Sequence, residues 1–131
     1  MPVKALANDV RMSPRKVGVV AGLVRGRTVA DALVILSHVP RRSAGPVIKV
    51  IESAKANADY NHNYKPDTLK IIEISVTPGA SLKRFRPAAR GRANPFQRRS
   101  CHIRVIVDGE MRAAKKPATT ATAKPATKET K

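Results

Sequence analysis

The sequence predicts an α+β fold: three helices packed on a small three-stranded antiparallel sheet, with a long extended β-hairpin arm and a disordered basic C-terminal tail. Three observations carry this. Three segments in the first half place apolar residues at helical spacing. Two stretches in the second half alternate apolar and polar residues, the period of a half-buried strand. Between these stretches, from Glu73 to Asp108, no acidic residue intervenes, yet Lys83, Arg84, Arg86, Arg90, Arg92, Arg98, Arg99 and Arg104 all do. A run of like charges without a supporting core repels itself and does not fold alone. Flanked by two strand patterns, it reads as a hairpin reaching out of a domain into something strongly anionic.

The elements follow in order. Val3–Val10 is a short first strand. Ser13-Pro14 opens a helix, with Ser13 expected to cap free amides through its side chain and Pro14 at the first helical position. Val17, Val20, Ala21 and Val24 make its apolar face. Gly26, within Arg25-Gly26-Arg27, suits the C-terminal cap. Thr28 begins a second helix, with Asp31 completing an imperfect capping box and Val29, Ala32, Leu33 and Leu36 on its apolar side. His38-Val39-Pro40 ends it. A third helix starts between residues 43 and 46, because Pro46 fits only the first turn, and runs to about residues 57–61. Val47, Val50, Ile51, Ala54 and Ala58 supply its buried face, Lys49 and Glu52 its wet one.

A polar loop over residues 61–67 leads to a strand at 69–77, in which Ile72, Ile74 and Val76 alternate with Glu73, Ser75 and Thr77. Cys101, Ile103, Val105 and Val107 alternate on the return strand, and Asp108-Gly109 is a turn signal that closes the domain. Residues 78–100 are too many for an ordinary loop in a compact domain. An extended hairpin accounts for them: about eleven residues per side at ~3.3 Å each project roughly 35 Å. Its middle carries small residues and one glycine, as a tight tip requires. Leu82, Phe85 and Phe96 are the main apolar side chains left to hold it, so the arm is expected to order only with phosphates around it. The domain thus spans residues 1–112, with the arm at 78–100. Residues 113–131 form an Ala, Lys, Thr and Pro tail with no large apolar residue.

The balance of charge narrows the function. The chain has 131 residues, 26 Lys plus Arg against 9 Asp plus Glu, and a formal net charge of +17. Such asymmetry favours a polyanionic partner, and nucleic acid offers dense phosphates that release counterions when neutralised. A membrane partner is disfavoured: the longest apolar stretch, 17–24, is far short of the ~20 residues that span a bilayer. The first residues lack the apolar run of a signal peptide, and the single Cys101 excludes an internal disulfide framework. These features predict a cytoplasmic, reducing setting.

Enzymatic chemistry is not indicated. His38, His62 and His102 are scattered over a helix end, a loop and a strand, and none has metal-ligand spacing with Cys101. Cys101 reads as a small apolar residue on a strand's inward face rather than a reactive thiol. No glycine-rich phosphate loop occurs, and no cofactor is expected. Tyr60, Tyr64, Phe85 and Phe96 are the only Phe, Tyr or Trp rings, too few for a base-stacking platform. Recognition by shape and phosphate contact fits better, with arginine as a planar, bidentate phosphate ligand. Candidate phosphate contacts are Arg11, Arg15, Lys16, Arg25 and Arg27 on the domain, with Lys83, Arg84, Arg86, Arg98 and Arg99 on the arm. Arg41-Arg42 is as consistent with a solvated face as with phosphate contact.

Several motifs then fall in a fixed order: Ser13-Pro14-Arg15-Lys16-Val17, Leu23-Val24-Arg25-Gly26-Arg27, Ala32-Leu33-x-Ile35-Leu36 and Glu52-Ser53-Ala54-x-Ala56-Asn57-Ala58. Gly79-x-Ser81-x-Lys83-Arg84, Pro87, Arg90-Gly91-Arg92-Ala93 and Ser100-x-His102-Ile103 complete the series. Together they make the chain closely resemble the bacterial L-twenty-two family of large-subunit ribosomal proteins, over about residues 3–110. The resemblance implies a structural role: binding large-subunit ribosomal RNA, bridging RNA domains during assembly, and lining the peptide exit tunnel with the hairpin tip. The tip would be Ala88, Ala89, Arg90, Gly91, Arg92 and Ala93, and Ser13 would join Arg15, Lys16, Arg25 and Arg27 as the domain's RNA contacts. It implies ribosomal RNA, neighbouring ribosomal proteins and the nascent peptide as partners, with no membrane and no homo-oligomer. A free RNA chaperone or nucleoid-type binder is the alternative. The chain departs from the family pattern at Gly45-Pro46, at Ala88 where a basic residue is common, and at Asn94-Pro95-Phe96, which interrupts the returning arm.

Overall fold

The computed structural model describes residues 2–112; the tail expected over 113–131 lies outside them. Strand β1 (Val3–Val10) leads into helices α1 (Pro14–Val24), α2 (Val29–His38) and α3 (Ala44–His62), then the long strands β2 (Lys70–Pro87) and β3 (Ala93–Asp108). The sheet is antiparallel in the order β1-β3-β2, so the last strand is the central one.

Apolar spacing builds one core. Val17, Val20, Ala21 and Val24 of α1, Val29, Ala32 and Leu36 of α2, and Val47, Val50, Ile51, Ala54 and Ala58 of α3 are all buried. They close over the inward residues of the sheet, Cys101, Ile103, Val105 and Val107 among them. Fully burying a side chain of the Val, Leu or Ile kind stabilises by about 1.5–3 kcal/mol, so this layer is the main source of stability.

The helix ends differ in how their free groups are satisfied. Thr28 caps α2 as expected: its hydroxyl accepts from the Asp31 amide at 3.2 Å and donates to the Asp31 carboxylate at 2.7 Å. The short Asp side chain reaches the hydroxyl where a longer Glu would take the backbone. Ser13, expected to cap α1 through its side chain, makes no such bond. The Lys16 amide that its hydroxyl would have bound already donates to the Ser13 carbonyl at 3.0 Å, and Pro14 has no amide to offer. Gly26 follows α1 at φ +75, a conformation open to glycine without penalty. Its amide donates to the Ile71 carbonyl at 3.1 Å, and the Ile71 amide returns to Arg27 at 2.9 Å. The link between α1 and α2 is thereby stitched to the edge of β2.

In β2 the expected alternation slips. Ile72, read as an inward residue, is 55% exposed, while Ile71 and Ile74 are buried. The cause is a bulge between Ile71 and Glu73: the register passes from Ile71↔Val107 to Glu73↔Ile106, and the extra residue turns Ile72 outward.

Two further bulges flank β3 where the arm leaves the domain. On one side, Ala7↔Ile103 is followed by Val10↔Cys101, and Asp9 takes φ 53 to absorb the extra residue. On the other, Pro78↔Cys101 is followed by Ser81↔Arg99. Beyond this level β2 and β3 pair alone as a two-stranded ribbon. Its register runs unbroken to Pro87↔Ala93, with Phe85 opposite Pro95. The prolines do not break it. The Ala88 amide donates to the Arg92 carbonyl at 2.7 Å, so Pro87↔Ala93 is a non-hydrogen-bonded pair, and Phe85↔Pro95 has the same parity. Both proline nitrogens therefore face the open edge, where no ladder donor is needed.

Candidate nucleic-acid interface

The root of the arm and the helical layer enclose a cleft of about 1,090 Å³. One wall is the arm, with Leu82, Arg84, Gln97, Arg98 and Arg99. The other is built from two turns that each lead into a helix: Arg11, Ser13 and Lys16 before and within α1, and Arg41, Arg42 and Ser43 before α3. The second turn is fixed by its own backbone, Arg41 donating to Val39 at 2.8 Å and Ala44 to Arg41 at 2.9 Å. Seven cations thus line the cleft against a single acid, Asp9. Among the described residues the one ion pair, Arg112 with Asp59 at 3.0 Å, ties residue 112 to α3 and involves none of these cations. Unbalanced charge of this density destabilises a lone protein and is relieved by a polyanion.

Register sorts the arm's side chains into two faces. Cross-strand partners share a face, so Leu82, Arg84 and Arg86 lie with Arg98, Phe96 and Asn94. Lys83 and Phe85 lie opposite, with Gln97 and Pro95. The Arg86 guanidinium sits 5.2 Å from the centroid of the Phe96 ring, a cation–π contact that holds its planar fork in place. At the tip, Arg90 and Gly91 both adopt positive φ, 58 and 69, within the short turn Ala89–Gly91. Apart from half-buried Ala88, residues 88–93 are exposed.

The predicted contacts do not form one surface. Arg11, Ser13 and Lys16 meet Arg84, Arg98 and Arg99 in the cleft. Arg15 is exposed on the first turn of α1 but does not line it. Arg25 and Arg27 stand at the far end of α1, where Arg25 Nη2 donates to the Ile74 carbonyl and Arg27 Nε to the Leu23 carbonyl, both at 3.1 Å. The cleft adds Arg41, Arg42 and Ser43. Their proximity to the arm depends on how two helix starts converge, which spacing along the chain does not encode.

Two buried titratable groups support the structure rather than chemistry. Burial pushes the Cys101 thiol up from its ordinary value, and the side chain faces the core. The Tyr64 phenol is also raised, first by burial and then by the charge of Asp108 and a hydrogen bond to it. Among the described residues no three His, Cys, Asp or Glu side chains are grouped to hold a metal ion. No described helix is long and apolar enough to cross a membrane.

A small α+β domain with a cationic ribbon and a basic cleft at its root has the charge of a scaffold that meets a polyanion. Residues 5–108 match the family model described as Ribosomal protein L22p/L17e. The chain is 49% identical over 108 residues to the large ribosomal subunit protein uL22 of Herpetosiphon aurantiacus, covering 82% of this chain and 96% of that one. It is 48% identical to the protein of that name from Oceanobacillus iheyensis (82% and 95% covered), and 47% identical to that of Clostridioides difficile (82% and 96% covered). The chain belongs to the ribosomal protein L22p/L17e family, in its bacterial form, and is a structural protein rather than an enzyme.

Proposed function

We propose that the chain is a structural constituent of the large ribosomal subunit in the cytoplasm. It binds large-subunit ribosomal RNA through the cleft and the arm, bridges RNA domains during assembly, and sets its hairpin tip in the wall of the peptide exit tunnel. The observation that carries the reading is the cleft with its seven cations and one acid, continuous with the cationic ribbon. Arginine dominates both, and its rigid fork suits phosphates held in fixed positions. The names of the relatives support the ribosomal setting. Ala88, Ala89, Arg90, Gly91, Arg92 and Ala93, small or extended outward, suit a wall facing a conduit more than a packed contact. Arg11, Ser13, Lys16, Arg84, Arg98 and Arg99 act together at the root, Arg86 continues the face of Arg84 and Arg98 toward the tip, and Arg15, Arg25, Arg27 and Lys83 reach RNA from other faces. Neighbouring ribosomal proteins and the nascent peptide are the remaining partners, and the chain acts as a single copy without a membrane.

Cosedimentation tests this. The full chain in cell lysate is expected to run with large subunits at moderate salt. Spreading through light fractions and washing off with salt would instead identify a free RNA chaperone or nucleoid-type binder. For the tip, joining residues 82 and 99 by a two-residue turn should leave the domain folded and bound to RNA while altering the tunnel wall. Unchanged macrolide protection of tunnel nucleotides in such particles would refute the tip assignment.

A further inference from the structure

We propose that the free edge of β1 takes up one extended segment of another protein, added as a fourth strand, with an apolar side chain seated in the groove between β1 and α3. The inference rests on the ribosomal reading and names the place and the chemistry by which a neighbouring protein attaches.

The two edges of the sheet differ. Within the domain the β2 edge is closed by the α1–α2 link: Gly26 and Val29 donate to the Ile71 and Leu69 carbonyls at 3.1 and 2.9 Å, and the Ile71 amide donates to the Arg27 carbonyl at 2.9 Å. β1 pairs with β3 on one side, and among the described residues the backbone of residues 3–8 hydrogen-bonds to no other element. Alternate residues of an antiparallel strand point their N–H and C=O groups away from the partner, so β1 presents an open row of both. Proteins usually blunt such an edge with charge, proline or cover. Residues 3–8 hold one charge, Lys4, and no proline.

Beside this edge runs a groove of about 470 Å³. Leu6, Ala7 and Val10 form one wall, and Gly45, Pro46 and Lys49 on the first turns of α3 form the other. No β3 residue lines it, so it lies on the outer flank of β1. Gly45-Pro46, where the chain departs from the family pattern, leaves the groove open: a Cβ built on Gly45 would meet nothing within 4 Å. Pro46 stands at the third position of α3, where a missing amide costs no intrahelical bond. Leu6 is 57% exposed at the rim.

Chemistry selects the occupant. An open strand edge alternates donors and acceptors, and another main chain matches both, whereas phosphate oxygens only accept. Lys49 is the one charged residue lining the groove, against seven cations in the cleft. Neither Lys4 nor Lys49 makes an ion pair among the described residues, so a carboxylate on the incoming segment complements them. The segment is therefore extended, apolar at alternate positions and acidic at its flank.

The test replaces Leu6 of the full chain with photoreactive benzoylphenylalanine and irradiates purified large subunits that contain it. The expected product is one adduct to a different protein, mapping within a single run of about six residues, the usual length of a strand. Gly45→Leu fills the groove from an exposed helical position and should cut the adduct by about tenfold or more, the loss of one buried apolar side chain. Ser53→Leu, further along the same wall, should do the same. Tyr60→Leu, exposed on α3 outside the groove, should change nothing. Amides of residues 3–8 that exchange fast in the free chain should become slow in subunits carrying the unaltered chain, and stay fast in those carrying Gly45→Leu. An adduct to RNA alone, to a second copy of this chain, or none at all would overturn the proposal, as would an adduct indifferent to both groove variants. The outcomes separate from the ribosomal reading. If the chain cosediments with large subunits but Leu6 reaches only RNA, the strand site fails alone. If the chain does not cosediment, the ribosomal reading fails, and a protein adduct lost in both groove variants, in the fractions that hold the chain, upholds the strand site by itself.

Discussion

The Nδ1 atom of His102 accepts a hydrogen bond from the Asp9 backbone N–H at 3.1 Å. Asp9 is the left-handed residue of the β1 bulge. On the other side of the ring, a Cβ built on Gly79, in the β2 bulge, would come within 3.1 Å of Nε2. One imidazole therefore touches both irregularities at the root of the arm. Because Nδ1 accepts, the neutral ring carries its proton on Nε2.

His102→Ala removes this shared contact. It should cost about 0.5–1.5 kcal/mol, the net worth of one intramolecular hydrogen bond, read as a lower urea midpoint. Faster amide exchange at Asp9 and Ala80, with exchange at Ile103 and Val105 following only the global change, would locate the effect at the root. Uniform acceleration through the sheet would contradict it.

Gly79 is required by what faces it. A Cβ there would lie 2.6 Å from Ser100 Oγ, which itself donates to the Ala80 carbonyl at 2.6 Å. Gly79→Ala should destabilise by about 1–3 kcal/mol, the range for overpacking. Adding Ser100→Ala removes the closest atom and should recover part of the loss. Strict additivity in this double-mutant cycle would mean the two residues do not meet.

At the tip, Arg90 holds a left-handed conformation that costs a non-glycine residue about 1 kcal/mol or more. Arg90→Gly should therefore raise the ordered population of the ribbon, and Gly91→Val should lower it. Amide exchange at Ala88 and Arg92 in the free protein provides the measure. Arg90→Ala should leave subunit assembly intact, since one phosphate contact among many changes affinity modestly.

Alkaline pH should weaken the fold through two groups. Cys101 and Tyr64 both have folded pKa values above their ordinary ones. The neutral forms are thus favoured by folding. Their contribution is complete below the unfolded values, about 8.5 and 10, and is lost as pH rises through the folded ones. The urea midpoint of Cys101→Ala should fall less above pH ~8.5 than that of the unaltered chain, and Tyr64→Phe less above pH ~10. Parallel curves would remove both assignments.

Much of this molecule was legible along the chain. Val17, Val20, Ala21 and Val24 announce one helical face because a helix imposes its own period, and Thr28 with Asp31 announces a start because capping is local. The three bulges were not legible. Ile72 looked like its neighbours, and what turned it outward was the register set by β3. The cleft was legible by halves: arm cations and the first helix start were read, while Arg41 and Arg42 stayed ambiguous and Ser43 silent. Its second wall exists because α3 packs on β1 and β3, a long-range fact that no local pattern carries.

β3 runs from the tip of the arm, through the bulges, to the centre of the sheet, with β1 and β2 on either side. A pull on the tip is therefore delivered along two covalent strands, β2 at the edge of the sheet and β3 in the middle of the core. There both ladders meet it in shear, many hydrogen bonds at once, rather than peeling from an edge. The ribbon is tethered to the most strongly held strand of the domain, and its compliant point is the level of Ser100 and His102, where both neighbouring strands are out of step with β3.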